Sequence, residues 1–84
     1  MRVQVLFFAS LKDAVGEGAL MLQVAEPGSV DALFDALAAR IPATAIVALQ
    51  GDNVRLAVNR QLVTPPLRLA ANDEVAFLPP VTGG

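Results

Sequence analysis

The group with the most chemical promise in this 84-residue sequence sits on its last residue. The chain closes with Leu78-Pro79-Pro80-Val81-Thr82-Gly83-Gly84. Proline fixes its own φ and biases the preceding residue toward extended geometry, so Pro79-Pro80 is expected to project the last four residues away from the body of the fold. Gly83 and Gly84 then form a strip without side chains, able to enter a channel too narrow for any other residue. Its end is the α-carboxylate of Gly84. With an ordinary pKa of about 3.3–3.7 this group is ionised at neutral pH and resists nucleophilic attack. To react at its carbon it must first be activated, by ATP, to a mixed acyl-adenylate. Two glycines alone are equally compatible with a plain chain terminus.

Little else in the composition does chemistry. Cys, His, Trp and Tyr are all absent. There is accordingly no thiolate nucleophile, no cysteine zinc site and no disulfide framework, and the commonest general base and metal ligand is missing. Eight carboxylates, Lys12 and five arginines remain. No glycine loop with lysine cradles a phosphate and no nucleophile–base pair is recognisable, so another protein has to supply any catalysis. No metal site and no tightly bound cofactor are expected. Asp73 and Glu74 are consecutive on a predicted strand and point to opposite faces, so they read as turn chemistry and an outward position. Arg55, Arg60 and Arg68 read as solvated surface, with contact to AMP or an acidic activating enzyme left open. Lys12, Asp13 and Glu17 read as solvent-facing, and Asn59 as a turn residue with an interface role possible.

The net charge of −2 and the scattered arginines argue against nucleic acid as a partner. Polar residues interrupt every apolar run before the ~20 residues of a spanning helix, which argues against a membrane. The opening Met-Arg-Val-Gln-Val lacks the long apolar region of a signal peptide, so a cytoplasmic location is the expectation. Hydrophobic residues make up 55% of the chain, more than so small a core requires, and some are expected outside it.

The elements that must position the tail are set by periodicity. Residues 2–8 alternate, with Val3, Val5 and Phe7 on one side and Gln4, Leu6 and Phe8 on the other, and read as a strand. Ala9 to Val15 reads as a short helix ending at Gly16 and Gly18. Ala19 to Ala25 alternates again, with Leu20, Leu22 and Val24 inward, up to the break at Pro27-Gly28. Val30, Leu33, Phe34, Leu37, Ala38 and Ile41 fall on one helical face, predicting a helix from 30 to 41. Ser29 is its N-cap, Arg40 lies near the negative end of its dipole, and Pro42 stops it. A short helix over 43–49, strands over 54–59 and 61–64 joined at Asn59-Arg60, and a last strand over 74–78 complete the chain. This order predicts an α+β fold of the β-grasp, ubiquitin-like arrangement, with a mixed sheet of four to five strands packed on one main helix. Residues 1–78 form the domain and 79–84 an extended, flexible tail.

The segment Asp73-Glu74-Val75-Ala76-Phe77-Leu78 running into Pro79-Pro80-Val81-Thr82-Gly83-Gly84 resembles the ending of MoaD-type sulfur carriers, the small subunits of molybdopterin synthase, in the ubiquitin-like and ThiS-like superfamily. Val5-Leu6-Phe7-Phe8-Ala9 with Leu11 is similar to the family's first strand and helix, and Ala57-Val58-Asn59 with Leu62-Val63 to its central turn region. The resemblance implies that Gly84 is adenylated by an E1-like adenylyltransferase using ATP, receives sulfur by way of a sulfurtransferase, and becomes a thiocarboxylate. It further implies insertion of the tail into the large synthase subunit, within a heterotetramer, and sulfur donation there to cyclic pyranopterin monophosphate. In that setting Gly83 keeps the approach narrow. Leu78 stands where family members often have a second Phe.

Alternation places Leu6, Phe8, Ala76 and Leu78 on the face away from the main helix, with Phe8 and Leu78 neighbours at the root of the tail and Leu62 on the nearby hairpin. Contiguous exposed apolar surface marks a partner site. The expected interface is therefore Phe8, Leu62, Leu78, Pro79, Pro80, Val81 and Thr82. A sulfur carrier for thiazole or a tRNA base, a ubiquitin-like modifier ligated to lysines, and a passive interaction domain stay open as alternatives.

Overall fold

A computed structural model describes residues 1–80 of the chain. Strand β1 (Arg2–Phe7) buries Val3, Val5 and Phe7 and turns Arg2 and Gln4 to solvent, with Leu6 half-buried. It is one residue shorter than its apolar run. Phe8 leaves the ladder to become the N-cap residue of α1 (Ala9–Val15), which ends at Gly16 with φ 89°. The Gly16 N–H bonds the Lys12 carbonyl at 2.8 Å, the left-handed stop that glycine makes inexpensive. β2 (Ala19–Gln23) buries Leu20 and Leu22, and Val24 just beyond it is buried too.

Helix α2 (Val30–Ala38) begins where the sequence predicts, with the Ser29 hydroxyl accepting from the Ala32 N–H at 3.1 Å. It ends three residues before the predicted boundary. Proline disfavours the α conformation in the residue before it, so the last turn loosens ahead of Pro42. The Ile41 N–H still bonds the Leu37 carbonyl at 3.0 Å, and Ile41 stays buried while Ala38 is exposed. Arg40 therefore lies outside the helix, and its Nη1 donates to the Met21 carbonyl at 3.2 Å. After α3 (Ala43–Leu49) come β3 (Arg55–Val58), β4 (Gln61–Val63) and β5 (Glu74–Leu78). Asn59 and Arg60 join β3 to β4 with φ of 50° and 70°, the left-handed pair that a two-residue hairpin turn requires.

The five strands form one sheet in the order β2-β1-β5-β3-β4. β1 and β5 lie parallel at its centre and the other pairs are antiparallel. This is the predicted β-grasp arrangement of the α+β class. All three helices contribute to one core, since Leu11 and Val15 of α1 and Ala45 and Leu49 of α3 join Leu33 and Leu37 of α2 in the buried cluster. Phe77 sits at its centre. The Phe7 ring stacks on it and the Phe34 ring meets it edge-on, both at 5.8 Å between centroids. The loop after β4 adds Leu69, whose N–H bonds the Gly28 carbonyl at 2.9 Å. Gly28 is buried with φ 75°, and a Cβ there would stand 2.7 Å from the Leu69 carbonyl oxygen. Among the described residues no helix is long and apolar enough to cross a membrane.

Candidate functional site

The helices pack on one face of the sheet, so side chains that alternate with the core positions come out on the other. Across the middle of that face the register aligns Ala19, Leu6, Ala76, Ala57 and Leu62 on five adjacent strands. In the next row Leu78 lies opposite Arg55, and Phe8 comes directly after the Phe7–Phe77 pair. In the row on the other side Met21, Gln4 and Glu74 are aligned.

The centre of the middle row is small and its surroundings are large. Ala57 and Ala76 are each 6% exposed and make a floor, while Phe8 at 44% and Leu62 at 67% stand exposed around it. With half-buried Leu6 and Leu78 they enclose a shallow apolar depression of about 440 Å³, closed at one end by Arg60 and Glu74. The Arg60 Nε lies 3.9 Å from the Glu74 Oε2. A concave apolar floor with a short polar border is suited to receiving an apolar protrusion from another protein.

Phe8, Leu62 and Leu78, the predicted docking residues, thus line one depression. Pro79 is half-buried and Pro80 exposed, and with Asn53 and Arg55 they line a neighbouring hollow where the chain leaves β5. Val81, Thr82, Gly83 and Gly84 lie outside the described residues. The sequence reading leaves Ala57 out of this surface and does not count Leu6 and Ala76 among the docking residues. The signal is present in the alternation that sends Leu56 inward, but alanine reads as a spacer when only large apolar residues are sought.

Asn59 does more than serve its own turn. Its Nδ2 donates to the Asp73 Oδ1 at 3.0 Å, and its Oδ1 accepts from the Glu74 N–H at 3.0 Å. The Asp73 Oδ2 in turn accepts from the Ala70 N–H at 2.8 Å. These bonds clip the β3–β4 hairpin to the start of β5, which fixes Leu62 and Arg60 relative to Ala76. A second depression of about 460 Å³ opens on the opposite side of the sheet, between α2 and the loop after α3, with Phe34, Leu56 and Phe77 inside and Asp31 and Asp52 at its border. Among the described residues no group of three or more acidic side chains is arranged to hold a metal ion.

Residues 5–84 match the ThiS family. The chain is 42% identical over 82 residues to the molybdopterin synthase sulfur carrier subunit of Escherichia coli (strain K12), covering 98% of this chain and 99% of that protein. The crystal structure of SAMP1 from Haloferax volcanii has the same fold, with a TM-score of 0.82 at 25% identity over the whole of both chains. A chain in the protein–protein complex of subunits 1 and 2 of molybdopterin-converting factor from Helicobacter pylori 26695 matches with a TM-score of 0.70 at 24% identity, again over both full lengths.

Proposed function

Because the chain belongs to the ThiS family, we propose that it is a cytoplasmic sulfur carrier of molybdenum cofactor biosynthesis, the small subunit of a molybdopterin synthase, inert alone and dependent on partners for catalysis. The observation that carries this reading is the apolar depression over Ala57 and Ala76, which lies beside the point where Pro79-Pro80 takes the chain out of the sheet. A partner held on that surface has the tail root next to it. The similarity to a molybdopterin synthase sulfur carrier subunit along nearly the whole of both chains supports the same assignment.

The chemistry centres on Gly84. Its carboxylate attacks the α-phosphorus of ATP in an E1-like adenylyltransferase, pyrophosphate leaves, and the acyl carbon becomes electrophilic. Sulfur at the oxidation level of sulfide, supplied by way of a sulfurtransferase, displaces AMP and leaves the thiocarboxylate. In the large synthase subunit the thiocarboxylate sulfur bonds to a side-chain carbon of cyclic pyranopterin monophosphate, and an oxygen substituent leaves that carbon with the bonding electron pair. Water then cleaves the acyl–sulfur bond, so the sulfur stays with the acceptor and the Gly84 carboxylate is regenerated. Gly83 keeps the approach free of side chains, and Phe8, Leu62, Leu78, Pro79, Pro80, Val81 and Thr82 face the partner. No group bound tightly to the carrier takes part.

Intact mass spectrometry tests the proposal. Incubated with the adenylyltransferase, ATP and the sulfurtransferase, the protein gains the mass of one sulfur less one oxygen, and it loses that gain when the large subunit and cyclic pyranopterin monophosphate are added. A variant lacking Gly84 gains nothing. A carrier that takes up sulfur yet forms no molybdopterin with the large subunit belongs to another pathway. Stable isopeptide adducts in place of the thiocarboxylate identify a protein modifier.

A further inference from the structure

The uncovered face of the sheet carries three of the chain's six lysine and arginine side chains as well as an apolar floor. Its charged residues are Arg2 on β1, Arg55 on β3, Arg60 in the β3–β4 turn and Glu74 on β5. Three arginines thus face one glutamate, in a chain whose formal net charge is −2. The acidic excess lies elsewhere, on the helices and their loops, as with Asp13, Asp31, Asp35 and Asp52. Asp73, at the start of β5, is occupied by its bonds to Asn59 and the Ala70 N–H.

One of these arginines borders the depression and another stands just beyond its tail end. Arg55 stands opposite Leu78 and beside Pro79 and Pro80, at the tail end. Arg60 closes the other end, next to Leu62. The Arg60 side chain is 88% exposed and its closest approach to Glu74, 3.9 Å, is too long for a hydrogen bond, so its donors remain available to an incoming acceptor. Its backbone is held at φ 70°, where glycine or asparagine is the relaxed choice.

Resting on the sulfur-carrier reading, we propose that Arg55 and Arg60 select and orient the partner. The large synthase subunit offers an apolar protrusion to the alanine floor, flanked by carboxylates that receive the two guanidiniums. A net-negative carrier has no overall attraction to an acidic surface, so the gain comes from orientation: the basic face turns toward the partner during approach, bringing the tail root with it. Oriented charge of this kind raises association rates and sets register.

Stopped-flow association of the full-length carrier with the large subunit from the same organism, at about 0.01 M and 0.15 M ionic strength, tests this. Arg55→Glu and Arg60→Glu each slow association about tenfold at low salt and flatten its salt dependence. Arg68→Glu makes the same change of charge at an exposed position off this face and leaves the rate within about twofold. Circular dichroism confirms that each variant is folded. Association of both face variants at the Arg68→Glu rate under both salt conditions overturns the proposal. Leu62→Ser separates this outcome from failure of the docking reading. If Leu62→Ser speeds dissociation while the arginines have no effect, the docking face stands and electrostatic orientation falls. If neither Leu62 nor the arginines matter, both fall.

Discussion

On β5 the side chains of Val75 and Phe77 enter the helical layer, whereas those of Glu74, Ala76 and Leu78 come out on the opposite side of the same strand. The two faces share a backbone and differ in almost every other respect. The covered face is filled with large apolar groups, and Phe77 touches both Phe7 and Phe34 there. The open face is small at its centre, with Ala57 opposite Ala76, and large only around its border. In a chain of 84 residues one face of the sheet supplies the packing, and this leaves the other to be shaped for contact. Of the large apolar residues left exposed, Phe8, Met21 and Leu62 belong to the second face, while Val47 is exposed on α3.

Truncating neighbouring residues of β5 separates the two faces most strongly. Phe77→Ala removes a fully buried ring that two other rings pack against. A loss of about 3–5 kcal/mol is expected, a large share of the 5–15 kcal/mol typical of a domain. Leu78→Ala, one residue on and half-buried, is expected to cost about 1 kcal/mol. Urea denaturation of the two variants measures the difference. Equal losses would mean that the open face also carries the fold.

A second contrast lies between two glycines with similar backbones. Gly16 and Gly28 have φ of 89° and 75°, but nothing lies within 4 Å of a Cβ at Gly16, whereas one at Gly28 would meet the Leu69 backbone at 2.7 and 2.8 Å. Gly16→Ala therefore bears only the left-handed strain, about 1 kcal/mol. Gly28→Ala adds a backbone clash in the core and is expected to cost about 3 kcal/mol. At about 4–8 °C per kcal/mol for a domain of this size, thermal melts resolve the two. Similar shifts would show that the loop carrying Leu69 yields easily and contributes little to the covered face.

Much of this division is legible in the sequence, because alternation and helical spacing are direct consequences of strand and helix geometry. Val3, Val5 and Phe7 against Gln4 and Leu6 give the two faces of β1 before any packing is known. The side-by-side placement of the first and last strands is a consequence of the β-grasp order. Other features depend on contacts distant in sequence. Leu69 belongs to the core only because its loop closes on Gly28, and no local periodicity marks it. The clip formed by Asn59 and Asp73 joins residues 14 apart, so composition shows a turn residue and nothing more. The floor is hidden for a different reason, since Ala57 and Ala76 matter by being small.

That smallness gives the prediction with the least effect on stability. Leu62 is 67% exposed and sits on the outermost strand, so Leu62→Ser is expected to change stability by no more than about 0.5 kcal/mol. Ala76→Leu places a larger side chain on the floor, where it projects between Leu6 and Leu78 toward solvent and is expected to stay within about 1 kcal/mol of the parent. Both variants should nonetheless bind the large subunit at least tenfold more weakly, an effect of about 1.4 kcal/mol, the first by removing a wall of the depression and the second by filling it. Calorimetric titration beside a melting curve reads both quantities on the same sample. Normal binding by Ala76→Leu would show that no protrusion enters the depression, and the contrast between the faces would then be one of exposure alone.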